Sequence, residues 1–339
     1  MAVGGSSYEA VRSYVALGKE GTFGTYASAT TAVEAISCSF KTEIESQKLD
    51  QICANRGYSH RVTLNKNVRG SLEQYLHPQE SLLLIANALG GPIISTSLTA
   101  ASSHSITSGN YDTTTVINSL SFNVRKGQTQ TFRYTGGKVN TLKISGSVGE
   151  PIKLSAEIIF KDSTLQADDI SSTLSISSVA PYTFAQGAFR YTSSEASLTS
   201  TVAEPIQSFE LSINNNIVSG EDVRSLGTII PDVLPATRRN IEFKVTNRWD
   251  TTTTFNRFIQ ATLGSIELIF TGVAISSEHN YGMTIRIPKV YNNTGDTEIS
   301  GGEDILKSDI SFDVLVDNNV HTTTSRDIGF TIKNNVVAY

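Results

Sequence analysis

Cysteine is almost absent from this chain, which carries only Cys38 and Cys53 among its 339 residues. Small scaffolds held by disulfides are dense in cysteine, so these two read as free, buried thiols that act as small apolar core residues. Tryptophan occurs once, at Trp249, and methionine twice. Charge is scarce as well: charged residues make up 17%, against a usual share of about 25%. The net charge is −5, and no cluster of Lys and Arg interrupts it; pairs such as Arg238-Arg239 are too small to grip a phosphate backbone. The longest apolar run, around Leu82 to Leu89, is far shorter than the roughly 20 residues that cross a bilayer as a helix. The opening Met1-Ala2-Val3-Gly4-Gly5 lacks the basic stretch and apolar core of a secretory signal. Together these absences predict a soluble product of the cytoplasm, with no membrane contact and no specific nucleic-acid binding.

Ser, Thr, Val and Ile are abundant, and β-branched residues suit a pleated, half-buried surface. Apolar and polar residues alternate over 36–44, 61–68, 114–125, 131–134, 139–148, 152–160, 208–213, 241–246, 265–270, 282–290, 305–316 and 328–337, the period of strands with one wet face. Two segments switch to helical spacing. One is 71–89, with Pro78 in its first turn and Gly90-Gly91 as its stop; the other runs from Phe255 to Leu263, with Asp250 able to cap it.

The second half echoes the first at roughly half the chain length. Ser39-Phe40-Lys41-Thr42-Glu43-Ile44 returns as Ser208-Phe209-Glu210-Leu211-Ser212-Ile213, Leu89-Gly90 as Leu263-Gly264, Leu120–Val124 as Met283–Ile287, and Ile152–Asp162 as Leu306–Asp317. A period this long is not that of a solenoid, whose units run about 20–50 residues. The reading is mainly β: two tandem β-sandwich or barrel domains, each with a short flanking helix. An N-terminal arm covers 1–34, domain 1 covers 35–162, a linker covers 163–203 and domain 2 covers 204–339. The arm has too few apolar anchors to build a core, so it must lie on its own domain or on a neighbouring subunit.

No catalytic chemistry is legible. There is no Gly-x-Ser-x-Gly elbow, and His60, His77, His104, His279 and His321 are scattered singly, with no His-Glu-x-x-His pattern for zinc. His77 beside Pro78 reads as a polar residue at a helix start. The acidic pairs Asp168-Asp169, Glu221-Asp222 and Glu303-Asp304 lack the alternating oxygen ligands of a calcium loop. No catalytic residue, cofactor ligand or metal ligand is assigned.

Several stretches together resemble the tail tube (major tail) proteins of long-tailed bacteriophages: Gly18-Lys19-Glu20-Gly21-Thr22-Phe23-Gly24-Thr25, Lys143 to Ile152, Gln207 to Asn216, Leu226-Gly227 and Arg238-Arg239-Asn240-Ile241. The resemblance implies a β-sandwich or small barrel with a flanking helix, whose long strands line a channel. It implies self-assembly into rings that stack into a tube, contact with tape measure, terminator and distal tail proteins, and DNA only in transit through the lumen of a virion. Some members carry two domains and form trimeric rings with pseudo-sixfold symmetry. On this reading Lys19, Glu20, Thr22 and Phe23 of the arm and Tyr182, Phe184, Phe189 and Tyr191 of the linker make ring-to-ring contacts. Lys143, Ser145, Ser147, Ser155, Glu157, Lys307, Asp309, Ser311 and Asp313 line the lumen. Two other readings stay open: another tail component of the same fold, such as a terminator, distal tail or baseplate hub protein, or a carbohydrate-binding β module.

Overall fold

The computed structural model describes residues 13–29, 31–52, 56–108, 119–127, 130–166, 174, 176–249, 252–295, 305–317, 326–337 and 339. The chain is mainly β, in one large antiparallel system of strands. In the first half these are β1 (Tyr14–Lys19), β2 (Thr31–Val33), β3 (Ala35–Cys38), β4 (Lys41–Lys48), β5 (Arg61–Tyr75), β6 (Ile93–Leu98), β7 (Ala101–Thr107), β8 (Leu120–Lys126), β9 (Gln130–Ser147), β10 (Lys153–Phe160) and β11 (Asp162–Gln166). The second half holds β12 (Gly187–Thr192), β13 (Ser208–Asn214), β14 (Asn240–Arg248), β15 (Gly264–Ala274), β16 (Asn280–Asn292), β17 (Lys307–Val314) and β18 (Gly329–Asn334). Among the described residues there are two α-helices, α1 (Leu82–Leu89) and α2 (Thr253–Ile259).

Strand order is the informative part. In the first half β4 pairs with β5, β5 with β10, β10 with β9, β9 with β8 and β11, and β8 with β1. In the second half β13 pairs with β14, β14 with β17, β17 with β16, β16 with β15 and β18, and β15 with β12. The connectivity in the two lists is the same, strand for strand. In it β8 takes the place of β15, so Leu120–Val124 stands opposite β15 and not opposite Met283–Ile287 in β16. The halves meet where β13 pairs with β9 from Ser208↔Ser147 to Asn214↔Thr141, which makes β4-β5-β10-β9-β13-β14-β17-β16 one continuous sheet. A second join comes from the β6–β7 hairpin, an insertion of the first half that covers the edge of β18.

The sheet is apolar on one side. Leu154, Ala156, Ile158 and Phe160 of β10, Phe209, Leu211 and Ile213 of β13, Phe243 and Val245 of β14, and Ile310 and Phe312 of β17 all turn inward, every second residue of each strand. They belong to one hydrophobic cluster running through both halves. At its first-half end Phe40 lies edge-on to Phe122, Tyr134 and Phe160 at 5.2, 5.3 and 4.8 Å between centroids. Burying each such ring stabilises the fold by about 1.5–3 kcal/mol, and each edge-to-face pair adds about 0.5–1.5 kcal/mol.

Several local expectations are revised. The segment from Ser71 to Tyr75 is not helical; it extends β5, with Leu72 and Gln74 buried and their neighbours outward. Helix α1 starts only after Ser81, and Pro78 lies in the turn before it. All eight of its residues are buried, and Asn87 Oδ1 accepts the Val139 N–H at 2.7 Å, which ties the helix to β9. Gly136-Gly137 does not separate two strands. It bends β9, whose first part pairs with β8 and β11 and whose last part pairs with β10 and β13. Gly136 has φ +67, and a Cβ there would meet Lys161 Cβ at 2.5 Å, so the corner needs glycine.

The described part of the arm is not a free extension. β1 buries Val15, Ala16 and Leu17 between β2 and β8 of its own chain. The region 163–203 likewise contains β11, paired with β9, and β12, paired with β15. Cys38 is a free, half-buried thiol pushed up in pKa by burial; Cys53 lies outside the described residues, as do Asp250, His321 and the pairs Asp168-Asp169 and Glu303-Asp304.

Candidate functional site: one polar sheet face

Alternation that buries one face of the sheet puts the other in solvent. Lys153, Ser145, Glu210, Lys244 and Ser311 lie side by side across five strands. Below them runs the row Ser155, Lys143, Ser212, Glu242 and Asp313, and above them Ser147, Ser208, Thr246 and Asp309. The structure thus gathers Lys143, Ser145, Ser147, Ser155, Glu157, Asp309, Ser311 and Asp313 on one face that crosses from the first half into the second; Lys307 stands at the start of β17 in the same alternation.

The charges on this face neutralise one another locally. Lys143 Nζ is 2.7 Å from Glu210 Oε2 across the β9–β13 join, and Thr246 Oγ1 donates to Asp309 Oδ1 at 2.7 Å. At the β4 end Lys41 and Arg69 flank Glu43 and hold its carboxyl below the usual range. Water screens exposed pairs of this kind, so they shape the potential of the face more than its stability. Acidic groups (Glu157, Glu210, Glu242, Asp309, Asp313) are matched by basic ones (Lys143, Lys153, Lys244, Arg248, Lys307). A shallow open groove of about 650 Å³ runs over the join, between Glu150, Lys153 and Glu210 on one side and Lys244 and Asp309 on the other. Strand β4 has a partner on one side only among the described residues, and it is exposed along nearly its whole length.

The arm and linker candidates are placed differently. Glu20 is 2% exposed and accepts four hydrogen bonds, from Gly24 N at 2.8 Å, Gly136 N at 2.8 Å, Ser121 Oγ at 2.6 Å and Ser119 Oγ. It organises its own loop and presents nothing outward. Phe23 is half-buried between Lys138 and Lys161, whose Nζ atoms lie 5.1 and 5.2 Å from its ring centre. Burial holds the Lys138 ammonium below its usual pKa. Lys19 and Thr22 remain exposed. Tyr182, Phe189 and Tyr191 are core residues, at 0%, 4% and 4% exposure, and Phe184 packs against the same core. Aromatics in a Ser/Thr-rich stretch read as surface anchors, but here β12 and the turn before it carry them inward over β13 and β15.

His104 serves the fold. Buried His104 meets Ser95 Oγ at 2.8 Å on Nδ1, but its Nε2 faces Asn334 Oδ1 and the Val336 carbonyl. An amide and a carbonyl there cannot supply the carboxylate that orients a catalytic triad.

What the described surface offers is a broad, solvent-exposed, nearly neutral β face with an open edge among the described residues. No curated protein matches the chain. A family model described as phage tail tube protein matches residues 10–336, nearly the whole length; the chain belongs to that family and is a structural protein of the phage tail.

Proposed function

We propose that each chain is a tandem of two tail-tube units and that three chains close into a ring with pseudo-sixfold symmetry. Supporting this is the recurrence of one strand connectivity in both halves, with β9 and β13 joining them edge to edge. That join is a template for ring closure. β4 stands to the first half as β13 stands to the second, and its outer edge is open for the second half of a neighbouring copy. Closure would remove the exposed edge that otherwise invites uncontrolled pairing. The polar face, with Lys143, Ser145, Ser147, Ser155, Glu157, Lys307, Asp309, Ser311 and Asp313, would line the channel. A nearly neutral, self-neutralised wall lets DNA slide, because it offers no run of cations to release counterions. Rings would stack head to tail, a heterologous contact that propagates into a filament. Lys19, Thr22 and Phe23 are the arm residues left to meet the next ring. Tape measure, terminator and distal tail proteins would meet the tube at its lumen and ends.

The single observation carrying this reading is the recurring strand connectivity, joined at β9 and β13 into one sheet with a continuous polar face. Negative-stain electron microscopy of the purified protein, with rotational averaging of end views, tests it. Hollow tubes with six lobes and threefold symmetry support the proposal. Six chains per ring keep the tube and overturn the tandem unit, whereas persistent monomers or single rings point to a capping component of the same fold.

A further inference from the structure

Away from the polar face, Glu34, His77 and Glu80 converge where β2 ends, α1 begins and the segment before Tyr182 passes. Each offers one ligand atom, and these atoms lie within 4.8 Å of one another. His77 Nε2 is 3.3 Å from Glu34 Oε2. Two ligands each about 2.0–2.1 Å from a tetrahedral ion stand roughly this far apart. His77 and Glu80 are each 3% exposed, while the Glu34 side chain is 48% exposed, so one side of the cluster opens to water.

Two further observations separate this cluster from an ordinary buried ion pair. Among the described residues His77 Nδ1 has no hydrogen-bond partner, unusual for a buried polar atom, and the ring's Nε2 faces a carboxylate. Glu80 is also held in place: Oε2 accepts the Glu34 N–H at 3.0 Å and Oε1 accepts the Ser177 N–H at 3.3 Å. Each oxygen keeps a lone pair. The backbone therefore fixes a carboxylate beside a second carboxylate and an under-used imidazole, a combination that is costly without a cation.

We propose that Glu34, His77 and Glu80 bind one divalent transition-metal ion, with Zn²⁺ as the matching species. Two carboxylates and a neutral imidazole balance a dication, and water from the Glu34 side completes four-coordination. Borderline metals accept nitrogen together with oxygen, whereas calcium takes six to eight oxygen ligands and magnesium a near-octahedral shell; neither is offered here. The ion would bolt two segments distant in sequence, the end of β2 and the turn before α1, and Glu80 in turn holds the Ser177 N–H.

The test uses the full-length protein, stripped with a chelator and titrated calorimetrically with ZnCl₂, beside Glu34→Gln. Glu34 is half in solvent, so the variant is expected to keep the far-UV circular dichroism of the parent. The expected result is one zinc per chain, weakened at least tenfold in Glu34→Gln, with no competition from MgCl₂. Cobalt(II) is expected to give the intense visible absorption of a four-coordinate site in the unmodified protein, a readout independent of any variant. Absence of saturable zinc binding together with a hexaaquo-like cobalt spectrum overturns the proposal and leaves a histidine–carboxylate ion pair. Equal zinc affinity in protein and variant overturns the ligand set.

Discussion

Glu20 gives the sharpest test of how the N-terminal segment is held. Its carboxylate is 2% exposed and accepts two backbone N–H groups and two serine hydroxyls, with Gly24 N and Ser119 Oγ on Oε2 and Gly136 N and Ser121 Oγ on Oε1. Glu20→Gln keeps the shape and replaces one oxygen by an amide NH₂. Whichever way the amide turns, that NH₂ faces a glycine N–H that cannot rotate away, while the serines can. A buried donor left unpaired costs about 1–3 kcal/mol, and hydrogen bonds to charged groups contribute about 1.5–3 kcal/mol where neutral ones give about half that. The expected loss is about 3 kcal/mol for Glu20→Gln. Glu20→Ala, which orphans both glycine N–H groups, is expected to lose about 4–5 kcal/mol. Urea unfolding read by tryptophan fluorescence and circular dichroism, with a common slope, measures both. Were Glu20→Gln to unfold within about 0.5 kcal/mol of the parent, as a surface substitution does, the reasoning would fail and Glu20 would be free for contact with another ring.

Two further outcomes follow from the same structure. Gly136→Ala is expected to destabilise by about 3 kcal/mol, from a left-handed backbone cost of roughly 1–2 kcal/mol plus displacement of Lys161, whereas Gly149→Ala, at φ +86 with nothing within 4 Å, meets only the backbone cost; equal losses in urea unfolding would refute the crowding at the β9 corner. In alkali, burial first and Cys38 second push Tyr134 up to about 12, and burial raises Tyr182 and Tyr339 further. The unfolded phenol ionises near pH 10, so this stability is intact below about pH 10 and lost as pH rises through 12. An ultraviolet phenolate titration is expected to show these rings ionising late, and Tyr134→Phe to flatten the decline between roughly pH 10 and 12; a normal titration of every tyrosine refutes it.

How much of this was legible in the sequence differs from element to element. Period-two alternation over 152–160, 208–213, 241–246 and 305–316 located β10, β13, β14 and β17 and separated Lys143, Ser145 and Asp309 from their buried neighbours, because a strand's side chains change face at every residue. The same rule cannot tell a wet face from a face that another segment covers. Tyr182, Phe189 and Tyr191 looked like docking anchors for that reason; nothing within 163–203 announces that β12 pairs with β15. Ser71–Tyr75 carried too few residues to choose between the two periods, and pairing of β5 with β10 decided for strand.

Sequence by itself determined the class: scarce charge and abundant β-branched residues alternating at period two dictate a β protein with polar faces. Tertiary structure alone decided which strands are neighbours. The edge-to-edge join of β9 and β13, the four donors around Glu20 and the meeting of Glu34 with His77 and Glu80 all bring together residues distant along the chain. Such meetings depend on the order in which strands hydrogen-bond across a sheet, and local periodicity carries no information about that order.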